Sequence, residues 1–145
     1  MRSLFDSWQA WALLSAAFAA LTAIFGKVGI ERMDPDFATL IRVGVILIFM
    51  VALVSVREVF EPLTEVPAKT LTFLTLSGLA TGASWLCYFR ALKLGPAAQV
   101  APIDKLSVVF VAVLGVLILG ETLSLKNWLG VGLIAGGAVL VAMKA

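Results

Sequence analysis

The chain is a succession of five apolar stretches bounded by charge, and this rhythm restricts its fold more than any other feature. Twenty uncharged residues, Ser7 to Gly26, separate Asp6 from Lys27. Twenty more lie between Asp36 and Arg57, interrupted only by Arg42, and another twenty uncharged residues lie between Lys69 and Arg90. A fourth stretch runs from Ala97 to Leu119 and a fifth from Trp128 to Met143. An apolar helix of about 20 residues crosses a hydrocarbon core of about 30 Å. The expected architecture is an all-α integral membrane domain over residues 1–145, with five transmembrane helices near 7–27, 36–56, 70–92, 97–119 and 127–143.

Composition supports lipid as the solvent. Of the 145 residues, 61% are hydrophobic and 14% charged, where a soluble domain carries roughly 25% charge. The first apolar run exceeds the ~7–15 residues of a signal-peptide core, so it is expected to be retained as a helix. Trp8 and Trp11 stand at its start, where amphipathic rings favour the interface. A single cysteine, Cys87, excludes an internal disulfide framework. Histidine is absent, which removes the commonest proton relay and metal ligand. A net charge of +2 without a basic run gives no basis for nucleic-acid binding.

Polar residues inside the spans mark the candidate site. Arg42 lies about two turns into the second span. It either snorkels to the nearer interface or turns inward toward an acidic partner or an anionic substrate. In the third span, Thr81, Trp85 and Tyr88 share a helical face. Tyr88 fits an interface anchor, while Trp85 lies deeper and is a candidate lining residue; Ser84 beside it joins the set. Pro102 falls early in the fourth span, followed by Asp104 and Lys105. A charge at mid-membrane costs at least ~2.5–3.5 kcal/mol and usually pairs or lines a wet cavity. Adjacent helical residues point about 100° apart, so Asp104 is expected to pair with a cation elsewhere, such as Arg42, rather than with Lys105. The alternative, a helix starting near Leu106, leaves only 15 apolar residues, and the longer helix with a bend at Pro102 is preferred. Gly78 with Gly82, and Gly132 with Gly136 and Gly137, have spacings that permit close backbone approach to a neighbouring helix or another subunit.

Five spans put the termini on opposite sides. The side of the N-terminus holds Arg2, Arg57, Lys69 and Lys126; the other holds Lys27, Arg32, Arg90, Lys93 and Lys144. Four against five sets no orientation by the positive-inside rule, which fits a chain that inserts both ways round.

The sequence resembles the EamA-like branch of the drug/metabolite transporter superfamily. The resemblance rests on Tyr88-Phe-Arg-Ala-Leu-Lys-Leu-Gly-Pro-Ala-Ala, on Pro102-Ile-Asp-Lys-Leu-Ser-Val-Val-Phe, and on Leu119-Gly-Glu followed by Trp128-Leu-Gly-Val-Gly-Leu-Ile-Ala-Gly-Gly. Asp34-Pro-Asp-Phe-Ala-Thr-Leu-Ile-Arg is similar to the family's opening. Most members have ten helices in two inverted repeats, and this chain looks like one repeat, similar to short bacterial and archaeal members. The resemblance implies a secondary transporter of the cytoplasmic membrane, working as an antiparallel homodimer on a small polar or amphipathic metabolite. Membrane lipid, substrate and a second copy are its expected partners. Asp104, Lys105, Arg42, Trp85, Tyr88 and Ser84 are its candidate substrate-binding residues. The first span lacks the embedded Glu of the small multidrug resistance branch, so that branch's drug/proton exchange is not carried over. No phosphate-binding Gly-rich loop is present, and no cofactor is expected. A lipid flippase or an accessory membrane subunit are the competing readings. An integral-membrane enzyme has the least support, for want of His, a carboxylate pair or a metal set.

Overall fold

A computed structural model of the protein describes residues 7–143. Arg2 and Lys144, which entered the charge balance, and Asp6, which bounded the first span, lie outside the described residues. The helices are α1 (Trp8–Gly29), α2 (Pro35–Val56), α3 (Ala68–Leu94), α4 (Ala97–Asp104), α5 (Ser107–Leu119) and α6 (Leu125–Ala142), with one 3-10 turn at Leu63–Glu65. There is no strand among the described residues. Five segments are long and apolar enough to cross a membrane, the fourth being α4 and α5 together, Ala97–Leu119. Among the described residues the protein is all-α, with five helical spans.

Several helix ends meet their unpaired backbone groups in an identifiable way. Asp34 caps α2 by accepting from the N–H groups of Asp36 and Phe37, with Pro35 in the first turn where no donor is needed. Ser124 caps α6 through Asn127 N–H. Beyond α2, Glu58 takes a left-handed φ of 54° so that Val59 N–H reaches Val54 C=O. After α5, Gly120 takes φ 69°, and the N–H groups of Gly120 and Glu121 both reach the Gly115 carbonyl. A side chain at a left-handed position costs roughly 1–2 kcal/mol, which accounts for glycine at 120. The Glu121 carboxylate then folds back over Gly115, where Oε2 would stand 2.8 Å from an added Cβ. The Leu119-Gly-Glu element is thus a C-terminal stop for α5, and Gly115 leaves room for it.

The fourth span differs from expectation. It is interrupted after Asp104, not merely bent at Pro102. Around the interruption the bonding changes from i−4 to i−3: Leu106 N–H reaches Ile103 C=O, Val108 reaches Lys105 and Val109 reaches Leu106. Pro102 supplies no N–H and crowds the carbonyl one turn back. The tightening follows one turn later, at the two charged residues.

Packing divides the chain into two compact units. The described part of one comprises residues 7–24 and 94–143; there α6 packs along both α4 and α5. The other is Phe25–Lys93. It holds the three most buried side chains, Phe89, Ile30 and Leu92. The last turn of α1, the start of α2 and the end of α3 meet here. Lys27 donates to the Leu92 carbonyl, and Lys93 donates to the carbonyls of Ile30 and Glu31 at 2.7 Å each and of Met33 at 3.3 Å. Two lysines therefore exchange caps between the C-terminal ends of α1 and α3, where positive charge is favoured. Arg90 grips Asp36 at the start of α2 through Nε (3.1 Å) and Nη2 (2.6 Å).

The close-packed glycines are not the expected ones. Gly78, Gly82, Gly132, Gly136 and Gly137 have no described atom within 4 Å of a built Cβ, so within one chain these faces are open. The tight position is Gly26, where an added Cβ would stand 2.8 Å from Phe89 Cε1 and 2.9 Å from Cζ. Spacing motifs name faces that permit approach, whereas the neighbour itself comes from tertiary packing. Overfilling a packed site costs about 1–3 kcal/mol. Gly26→Leu is therefore expected to lower the melting temperature in detergent clearly. Indistinguishable melting of Gly26→Leu and the parent would contradict the Gly26–Phe89 contact.

Candidate substrate site

Arg42 lies seven residues past Pro35, about 10 Å along α2 at 1.5 Å per residue. Trp85 and Phe89 are one turn apart on α3, so their rings share a face. The α2–α3 pair brings the three together. The Arg42 guanidinium carbon stands 4.1 Å from the Phe89 ring centroid and 5.3 Å from that of Trp85. Phe89 is fixed in place by Gly26 beneath it and by Tyr88, whose ring meets its own edge-on at 5.8 Å and 79°. Tyr88 and Trp85 are half-buried. Arg42 Nη1 is buried and has no hydrogen-bond partner.

Cation–π contacts supply about 0.5–2 kcal/mol each, depending on desolvation. A guanidinium inside a span costs at least ~2.5–3.5 kcal/mol. The two rings thus offset part of the cost of holding the charge at this depth, and Nη1 is left without an acceptor among the described residues. The Arg42 side chain is half-buried and lies against two rings of α3.

Asp104 and Lys105 form an ion pair with each other, Nζ to Oδ2 at 3.1 Å. This corrects the expectation that neighbours would not pair. The 100° between adjacent Cβ directions is spanned by the four-carbon lysine stem. Asp104 and Arg42, expected as partners, are each engaged elsewhere, one by a lysine and the other by two aromatic faces. Asp104 and Lys105 remain partly accessible at the end of α4. Ser84 is exposed and takes no part in the contacts around Arg42. The predicted residues thus stand in two places: Arg42, Trp85 and Tyr88 on α2 and α3, and Asp104 with Lys105 at the α4–α5 interruption.

Phe89 was not singled out from the sequence, although its ring lies closest to the guanidinium. The available signal was its four-residue spacing from Trp85. It passed as one more apolar residue in an apolar helix, because helical periodicity carries little information where every face is hydrophobic. Arg90 and Asp36 were likewise read only as span boundaries.

A chain of five apolar spans, with charged side chains held inside two of them, has the form of a multi-pass membrane transporter. Residues 6–143 match the model of the EamA-like transporter family, and the chain belongs to that family. It is 64% identical over 138 residues to a Sinorhizobium protein named as an uncharacterized transporter in the cobO 3' region, covering 95% of this chain and 98% of that one. It is 28% identical over 134 residues to an uncharacterized protein of Methanocaldococcus jannaschii, covering 91% and 93% of the two chains. No solved structure matches the chain.

The geometry makes Phe89 the support of Arg42. Removing a buried Phe side chain typically costs about 3–5 kcal/mol. Phe89→Ala is expected to fall in this range and Phe89→Leu well below it, as read by thermal unfolding in detergent. Emission from Trp85 should move in the Ala variant, because the guanidinium loses its lower face. Parent-like melting of Phe89→Ala would refute this supporting role.

Proposed function

We propose that this member of the family is a secondary transporter that moves a small polar or amphipathic metabolite across the cytoplasmic membrane as an antiparallel homodimer. The observation that carries the reading is the interruption of the fourth span between Asp104 and Ser107, with an ion pair on it. Transporters build solute and ion sites from discontinuous helices, because irregular backbone at membrane depth is tolerated only where protein or water satisfies it. Asp104 lies about 10 Å along the span from Ala97 at the helical rise. An accessible acid–base pair at this place offers both a solute contact and a group that changes partner during a transport cycle.

Two further features support pairing of opposite copies. Basic residues number four on one side and five on the other, so neither orientation is favoured. The open glycine faces of α3 and α6 offer backbone approach to a second copy. Two copies of this five-helix repeat, oppositely inserted, would supply the two inverted halves. Asp104, Lys105, Arg42, Trp85, Tyr88 and Ser84 are the residues proposed to contact solute.

Asp104→Asn is expected to reduce efflux at least tenfold from proteoliposomes loaded with a cytosolic metabolite extract, with released solutes read by mass spectrometry. Stranding Lys105 should also lower stability, since breaking an ion pair from one side leaves an uncompensated charge. Asp104→Asn with Lys105→Met should recover the melting temperature but not the efflux. Parent-like efflux by Asp104→Asn sinks the site assignment. Orientation is tested separately, with tags on both termini labelled from each side of intact cells. Each terminus should appear on both sides, and a terminus confined to one side in every copy rules out the antiparallel dimer.

A further inference from the structure

Arg42 is set apart by a buried guanidinium nitrogen that no acceptor meets among the described residues. Lys27 and Lys93 end on backbone carbonyls, Arg90 on Asp36 and Lys105 on Asp104. Arg42 makes no hydrogen bond, and Nη1 is sealed from solvent without an acceptor. The rings of Phe89 and Trp85 stand against it. Aromatic faces neutralise no charge and accept hydrogen bonds only weakly. The result is a planar cation, restrained on its faces, with the donors at its rim unused.

We propose that Arg42 is an oxyanion-binding residue that takes a carboxylate or phosphate group through those rim donors, with Phe89 and Trp85 holding its plane. This deepens the transporter reading and rests on it: the transported solute, or the lipid handled with it, bears such a group. The guanidinium fork matches carboxylate and phosphate in a bidentate geometry, which an ammonium does not reproduce. An intramembrane cation without a counter-ion attracts an anion more strongly than it would in water, because the surrounding dielectric is low. The anion comes either from solution or from a phospholipid headgroup, and the two sources share this recognition chemistry.

The test uses the full chain purified in a maltoside detergent, with Trp8, Trp11 and Trp128 replaced by Phe so that Trp85 alone reports. Benzoate, phenyl phosphate and inorganic phosphate are the free probes, dihexanoylphosphatidylglycerol is the lipid probe, and neutral benzamide is the control. Saturable change in Trp85 emission is expected with oxyanions and not with benzamide. Arg42→Gln should weaken it roughly tenfold or more, and Arg42→Lys, which keeps the charge but not the fork, by a comparable factor. Saturation by the free anions identifies a dissolved solute, and saturation by the lipid alone identifies a headgroup; both uphold the oxyanion assignment. Binding that Arg42→Gln leaves intact, or no saturable response to any oxyanion, overturns it. Arg42→Lys, checked for parent-like melting, keeps the comparison valid where Arg42→Gln is unstable. The measurement is at equilibrium without a gradient. It therefore fails or succeeds independently of the efflux assay, and binding that persists in Asp104→Asn separates the two readings.

Discussion

Hydrocarbon cannot accept or donate a hydrogen bond, so each backbone amide within the spans must be satisfied by the protein itself. Most of the structure follows from this constraint. Within a span, the helix satisfies its own amides. At its ends the last carbonyls are left over, and the chain places specific groups on them. Lys93 covers the carbonyls that follow α1, and Lys27 covers one at the end of α3. The Arg90–Asp36 fork ties the end of α3 to the start of α2. These contacts draw three helix ends together over a small core of Phe89, Ile30 and Leu92. At the end of α5, the turn at Gly120 sends two N–H groups to one carbonyl.

The same constraint makes the two exceptions informative. At Asp104–Lys105 the ladder changes pitch inside a span, and the exposed pair stands where the helix is interrupted. At Arg42 a cation is kept at a similar depth without an acceptor. Neither arrangement helps a helix to form or to pack. Each is costly in lipid, and it is on these two places that the proposed solute path and oxyanion contact rest.

Much of the architecture was legible in the residue order, because lipid tolerates so little. Twenty apolar residues between charges admit few structures besides a spanning helix, so the five spans and their approximate ends followed. The charges inside them, Arg42, Asp104 and Lys105, were conspicuous for the same reason. Partner choice was less legible. Lys105 reached Asp104 because its stem is long and flexible, which periodicity ignores. Gly26 proved tight and Gly78 open, although the spacing of glycines pointed to the second and not the first.

By itself, then, the sequence determined the solvent, the number of spans and the depth of each charge, since all three depend on local hydropathy and on helical rise. Only the tertiary structure decided what each charge meets. It put Phe89 between Gly26 and Arg42, left Arg42 Nη1 without an acceptor, and placed the interruption at Asp104 rather than at Pro102. Those outcomes depend on which face of one apolar helix lies against which face of another. In a chain hydrophobic on nearly every face, that choice is settled by the fit of side chains and by hydrogen bonds at helix ends.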